Sequence, residues 1–459
     1  MTDRPRQPAR SPRPAPSGDK SGGRSGGRPR PGRPEGAVAG LAARRGAFKL
    51  LAAVLWQYRP LDMAIERALD GVRDPADRAL ARAIASHTLR RLPDLDAAID
   101  ACTAKPLPHD ARARLVLRLA LTQAWVLGTP AHAVVSTALP LVEAGPRRLV
   151  HGVLSRLLKS PASPLPLPPT LPEPFAERWA EAFGPAAAEA IAATLAHEAP
   201  LDLTLKDAAG TADAAARLGG TSLLPGHVRL TSPGAVEALP GFAEGDWWVQ
   251  DLAAQLPARL LAARPGDTVA DLCAAPGGKT LQLATAGARV TAVDVSESRL
   301  ARLSDNLART GLAAEVVCAD ALAWRPAAPL DAVLLDAPCS ATGTLRRHPD
   351  VFYLKAARDL APLLDLQARL LDHALDHLKP GGRLVYAVCS LEPEEGEAQI
   401  AALLQRRPDV RLDPVAPAEL AGLDLPVAPE GWLRTLPGQL AEAGGLDGFF
   451  IARLVRGSA

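Results

Sequence analysis

The hydrophobic pattern changes period along the chain. Over residues 41–160 apolar positions recur every three or four residues, the spacing of helices that bury one face. The stretch 44–58 puts Ala47, Leu50, Leu51, Val54 and Leu55 on one stripe. Further helices are read over 62–69, 77–89, 94–99, 112–127, 131–143 and 147–157. Their short connections predict a compact all-helical domain. Residues 161–174 hold seven prolines and read as a Pro-rich linker and domain boundary. Two more helical patterns, 173–182 and 185–197, lead into a small α/β unit. It has strands near 201–205 and 228–230 and a helix over 212–218, so 175–246 reads as a small linking domain.

From residue 247 to 459 short apolar runs alternate with helical patterns. Strands are expected over 268–272, 290–293, 314–317, 332–335, 383–387 and 449–455. Helices are expected over 250–262, 280–286, 297–310, 358–378 and 394–404. Buried strands separated by helices predict a mostly parallel, doubly wound, Rossmann-like α/β sheet.

Composition narrows the class. The 459 residues are 48% hydrophobic but only 4% aromatic, so Ala and Leu carry the packing. A wholly disordered chain, a collagen and a disulfide scaffold are excluded. No apolar run reaches the roughly 20 residues of a membrane span, and the amino terminus lacks the apolar core of a secretory signal. The net charge is +2, unevenly spread. Residues 1–40 are low-complexity, and the first 35 carry eight Arg and one Lys against three acids, a net +6. That composition predicts a disordered basic tail able to meet phosphates. The remainder is slightly acidic, so a nucleic-acid partner requires a local basic patch. The five cysteines, Cys102, Cys273, Cys318, Cys339 and Cys389, contain no CxxC. Free thiols point to a cytoplasmic protein without a zinc site.

Four strand ends carry acids. The segment Asp271-Leu272-Cys273-Ala274-Ala275-Pro276-Gly277-Gly278-Lys279 follows a strand and opens a helix, where glycines admit a ligand close to the backbone. It is neither a dinucleotide fingerprint nor a P-loop. A nucleoside-like ligand without a pyrophosphate, such as S-adenosylmethionine, fits it. Asp294 ends the next strand, placed for two ribose hydroxyls. Asp320 ends the third, placed for an adenine amino group or as a helix cap. Asp336-Ala337-Pro338-Cys339-Ser340 follows the fourth strand and Val388-Cys389-Ser390 the fifth. Two cysteines, each followed by serine, thus lie past neighbouring strand ends. Cys273 and Cys318 read as packing or ligand-lining residues.

The runs DLCAAPGGKT and DAPCSATGTLRRHPD, and the CS followed by a Glu-rich helix, resemble the RNA cytosine-C5 methyltransferases. With an amino-terminal helical domain, the chain is similar to the bacterial 16S rRNA branch, the RsmB/Fmu/Sun family, whose helical domain is NusB-like and binds RNA. Trp248-Val249-Gln250-Asp251 and Asp447-Gly448-Phe449-Phe450 match as well. The resemblance implies a class I methyltransferase domain with S-adenosylmethionine along Cys273–Lys279 (Cys273, Ala274, Ala275, Pro276, Gly277, Gly278 and Lys279), Asp294 on its ribose, Asp320 on its adenine and Asp336 beside methyl donor and base. It implies Cys389 as nucleophile and Cys339 as the thiol that assists product release. Gly396 stands where the family usually has Asn.

The chemistry explains the residue types. Cytosine C5 is a poor nucleophile until a thiolate adds at C6, which makes C5 enamine-like. A free cysteine has a pKa of about 8.5, so little of it is thiolate at neutral pH. A donor at ring N3 relieves the charge that addition creates, and Asp336 is the candidate. Arg346, Arg347 and His348 are expected to hold phosphates, with Arg147, Arg148 and Arg156 as a second patch. The expected protein is a cytoplasmic monomer acting on 16S rRNA before the small subunit is complete. A tRNA cytosine-C5 methyltransferase and a non-catalytic NusB-like RNA-binding or antitermination factor are the alternatives.

Overall fold

The computed structural model describes residues 39–159, 165–231, 234–354 and 359–457. The basic tail lies outside the described residues except for its last two positions, as does the start of the Pro-rich stretch. The helical segment folds as α1 (Leu41–Gln57), α2 (Leu61–Ala68), α3 (Pro75–Arg90), α4 (Leu92–Asp100), α5 (Arg112–Trp125), α6 (Ala131–Ala138) and α7 (Ala144–Leu157). In α1 the stripe Ala47, Leu50, Leu51 and Val54 is fully buried. Asp74 starts α3 by accepting the Ala76 N–H at 2.9 Å, with Pro75 in the first turn.

The described part of the Pro-rich stretch packs on these helices. Arg91 Nη1 donates to the Pro166 carbonyl at 2.7 Å, and Leu171 is buried. Next come α8 (Phe175–Phe183) and α9 (Pro185–Ala193). Although read with the small α/β unit, their Phe175, Trp179 and Ile191 join the helical core. The small unit itself is β1 (Leu201–Leu205), α10 (Thr211–Leu218), β2 (His227–Leu230) and β3 (Trp247–Val249). Trp247–Val249 begins the segment expected to be catalytic, yet β3 pairs antiparallel with β1. Trp247 and Val228 fill that sheet's own core.

The large sheet uses β4 (Thr268–Leu272), β5 (Arg289–Asp294), β6 (Glu315–Cys318), β7 (Leu330–Asp336), β8 (Leu378–Val388), β9 (Val410–Leu412), β10 (Leu433–Thr435) and β11 (Phe449–Arg456). Its order is β10-β11-β8-β7-β4-β5-β6, with β9 also on β11. The run β8-β7-β4-β5-β6 is parallel and β11 is antiparallel. The helices α11 (Leu252–Leu261), α12 (Gly278–Thr285), α13 (Glu297–Thr310), α14 (Ala361–Asp376) and α15 (Glu397–Arg406) accompany it. This is the expected doubly wound arrangement. The chain order reverses around β4, which puts the crevice at the carboxyl ends of β4, β5, β7 and β8.

The helical core extends into the loops beyond those strand ends. Leu345, Val351, Phe352, Tyr353 and Leu391 are buried in it. Asp350 Oδ2 accepts the first N–H of α2, from Leu61, at 2.8 Å. Pro60 offers that helix no side-chain cap, so the cap comes from the loop after β7. Among the described residues, no helix is long and apolar enough to cross a membrane.

Candidate active site

The β4–α12 turn is built around a left-handed glycine. Gly277 has φ 104°, and a Cβ there would lie 2.6 Å from Leu303 Cγ. The turn is tied to β5 by Asp294, which is nearly buried. Its Oδ2 accepts the Ala275 N–H at 3.1 Å and its Oδ1 the Ser296 N–H at 2.9 Å. Arg299 lies 3.4 Å from the same carboxylate. Asp320 is exposed past the end of β6 and accepts the Leu322 N–H at 2.9 Å within a turn; no helix begins there, so it is not the helix cap the sequence allowed. Asp271 is fully buried under the turn. Thr280 Oγ1 donates to its Oδ2 at 2.6 Å, while its Oδ1 has no partner among the described residues. Burial pushes its carboxyl up to about 7, and Asp336 and Asp294 add to the rise.

Lys279, expected along the cofactor, donates its ammonium to Asp336 Oδ2 at 2.7 Å. The same ammonium stands 5.3 Å from the centre of the Phe449 ring. Burial works to lower its pKa, but Asp336 outweighs that and holds it above the ordinary lysine value. Cys273 has φ 61° and lies among Asp294, Asp336 and Asp271. Burial first, then those acids, push its thiol up to about 12, which suits a packing role and not a nucleophile.

Cys339 and Cys389 come together with their sulfurs 3.5 Å apart. The last rung between their strands is Ala337 N–H to the Ala387 carbonyl, at 2.9 Å. Beyond it, Gly343 N–H donates to the Cys389 carbonyl at 3.0 Å. The Cys339 thiol is held well above its ordinary pKa by its hydrogen bond to Cys389, then by burial and by the charges of Cys389 and Glu395. Glu395 was not singled out from the sequence, although the serine after each cysteine was its signal. Ser340 Oγ and Ser390 Oγ each donate to Glu395 Oε2 at 2.5 Å.

The arginines past Cys339 are engaged by partners within the fold. Arg346 is 3% exposed, and its Nη2 donates to the Gly444 carbonyl. Arg347 pairs with the buried Asp447, and His348 lies 3.5 Å from Asp62. The two arginines thus meet internal partners from distant segments, whereas His348 and Asp62 stand at the surface. Arg147, Arg148 and Arg156 do stand exposed on α7. Gly396 also has a local reason. A Cβ there would lie 2.7 Å from Phe450 Cγ, so this packing has no room for a side chain.

Comparison with known proteins agrees with this geometry. Residues 258–455 match the family model "16S rRNA methyltransferase RsmB/F", and residues 41–159 match the NusB family. "Ribosomal RNA small subunit methyltransferase B" of Xanthomonas campestris pv. campestris is 38% identical over 92% of this chain and 99% of its own length. The chain belongs to the RsmB/F methyltransferase family. The Salmonella arizonae protein of the same name is 48% identical over 50% of this chain and 52% of its own. The crystal structure of PH0851 shares the fold, with a TM-score of 0.68 over 90% of this chain and 98% of that one, at 24% identity. A methyltransferase homolog protein from Pyrococcus horikoshii covers 62% of this chain and 95% of its own, at 30% identity and a TM-score of 0.52. For a family member, the fused NusB-type helices supply the wall against which the thiol loops pack.

Proposed function

We propose that the chain methylates carbon 5 of a cytosine in 16S rRNA, using S-adenosylmethionine and a covalent bond between Cys389 and carbon 6. The observation that carries this reading is the pair of thiols 3.5 Å apart, past adjacent strand ends and beside the acid-rich turn. The turn fits the cofactor. Gly277 keeps a side chain out of it, and the unpartnered Asp271 oxygen, with Asp294 and Asp336, favours a ligand bearing sulfonium and ammonium charges. Residues 273–279, Asp294 and Asp320 would hold it. Bound there, S-adenosylmethionine supplies an electrophilic methyl group.

The chain's own residues handle the base and its protons. Cys389 gives its proton to solvent, its thiolate adds to carbon 6, and negative charge moves to the N3 and O2 side of the ring. A proton passed from the Lys279 ammonium to the Asp336 carboxylate makes Asp336, in its protonated form, the donor that relieves it. After methylation the carbon 5 proton must leave before Cys389 can. While Cys389 is bonded to carbon 6, its hydrogen bond and charge no longer hold the proton on Cys339. Cys339 then ionises more readily, giving its proton to solvent, and its thiolate takes the carbon 5 proton. The ring double bond re-forms and the Cys389 thiolate departs.

One chain carries both thiols and the acids, which is sufficient for a monomer. The target base must leave its stack to reach them, which favours RNA not yet enclosed in a finished subunit. Exposed Arg147, Arg148 and Arg156 support an RNA-facing α7. The free thiols suit a cytoplasmic enzyme. Conversion sequencing of RNA from a strain lacking the gene tests the substrate. Loss of one methylcytosine from 16S rRNA is expected, and loss from a transfer RNA instead would overturn the rRNA assignment.

A further inference from the structure

Past the last rung of the β7–β8 ladder, one side chain gathers hydrogen bonds from both thiol loops. Glu395 is fully buried, and no Lys or Arg forms an ion pair with it among the described residues. Its Oε1 accepts the Ser340 N–H and Gln367 Nε2, both at 2.9 Å. Its Oε2 accepts the hydroxyls of Ser340 and Ser390, whose oxygens are 3.0 Å apart. Ser340 directly follows Cys339, and Ser390 directly follows Cys389. Gln367 also donates to the Pro338 carbonyl at 2.9 Å, which fixes the residue before Cys339. Tyr386, three residues before Cys389, donates its hydroxyl to the Glu395 carbonyl at 2.7 Å.

We propose that Glu395 is a positioning residue for the thiol pair, its carboxylate joining the Cys339 loop to the Cys389 loop. The proposal rests on the reading of those two cysteines as the reacting thiols. Burying a carboxylate without a cation costs several kcal/mol unless its oxygens are fully hydrogen-bonded. Here four donors from three segments meet that demand, and two of them flank the sulfurs. Any drift of one loop against the other breaks bonds to a buried charge. The sulfur separation therefore follows the carboxylate.

Glutamine and alanine at this position divide the effects. In Glu395→Gln the amide oxygen still accepts from Ser340 N–H and Gln367, while the amide nitrogen donates to the serine hydroxyls after they rotate. In Glu395→Ala all four donors lose their acceptor. Dibromobimane, which fluoresces on bridging two nearby thiols, reads the pair directly. The background is the full chain with Cys102→Ser and Cys318→Ser. Methyl transfer to transcript RNA is measured alongside.

Glu395→Ala is expected to slow bridging and kcat by about tenfold or more, with RNA KM within about threefold. Glu395→Gln should keep both within about threefold of the parent. Leu403→Ala, which opens the buried face of α15, should destabilise the fold yet bridge normally. Parent-like bridging and kcat in Glu395→Ala overturns the proposal, as does Glu395→Gln as impaired as Glu395→Ala, or Leu403→Ala bridging as slowly. Should Glu395→Ala not fold, Ser340→Ala with Ser390→Ala takes its place, and parent-like values there overturn the proposal equally. Full methylation by Cys339→Ser and Cys389→Ser single variants would instead sink the thiol reading itself.

Discussion

The Cys339 sulfur is hydrogen-bonded to Cys389 and lies within reach of the Glu395 charge, and both raise its pKa. Cys389 shares an electrostatic contact with the Lys279 ammonium. The proposed roles are attack by Cys389 and release by Cys339. Cys389→Ala should abolish methyl transfer, because carbon 5 stays unactivated. Cys339→Ala should attack and methylate once, then stall as a protein–RNA adduct. Denaturing electrophoresis with labelled methyl donor distinguishes the two, and a labelled adduct from Cys389→Ala alone would exchange the roles. The thiols and the strand-end acids were legible in the sequence because each sits in a contiguous motif with its own chemistry. Glu395 was not, because its donors come from residues 340, 367 and 390. Arg346 and Arg347 read differently for a related reason. A basic run does not disclose that Asp447 and the Gly444 carbonyl will meet its arginines inside the fold.

At the scale of elements, the longer periodic segments were readable and the short edges were not. Thr268–Leu272 and Glu297–Thr310 form where their patterns place them. Val410–Leu412 and Leu433–Thr435 are three-residue strands, too short for alternation to register, and they exist because β11 offers them an edge. Trp247–Val249 has an apolar pattern that suits either sheet, and its pairing with β1 is a tertiary choice. The β4–α12 turn is different, since its shape is written in Gly277. Alanine there must adopt φ near 104° and meet Leu303 Cγ at 2.6 Å. Gly277→Ala should weaken S-adenosylmethionine binding by about tenfold, or about 1.4 kcal/mol. Calorimetry on the folded variant measures it. Leu303→Ala in the same chain should recover only part of the loss, since it removes the closest contacts but leaves its own Cβ at 3.1 Å and the backbone strain. Unchanged affinity in Gly277→Ala would take this turn out of the cofactor site.

At the scale of the whole molecule, the helical half and the thiol loops share one core. Phe352 is 1% exposed, and its ring lies 5.1 Å from Phe175 and 5.9 Å from Trp179 on α8. Trp179 Nε1 donates to Glu392 Oε1 at 3.3 Å, and Arg178 pairs with the same carboxylate, three residues past Cys389. The Tyr353 hydroxyl donates to the Leu89 carbonyl on α3 at 3.1 Å. The helices therefore brace the loops beyond both strand ends, in addition to any contact they make with RNA. Phe352→Ala removes the ring at the centre of this contact and should cost about 3–5 kcal/mol in denaturant unfolding. The loss should be local before it is global. Amide exchange is expected to quicken over residues 338–354 and 389–396 while β4 and β5 stay protected. Methyl transfer should fall with it, because the thiol loops lose the wall that holds them. A variant that unfolds about 1 kcal/mol or less more easily, with unchanged exchange in both loops, would mean that the catalytic half sets its own thiols and that the shared core contributes only cohesion.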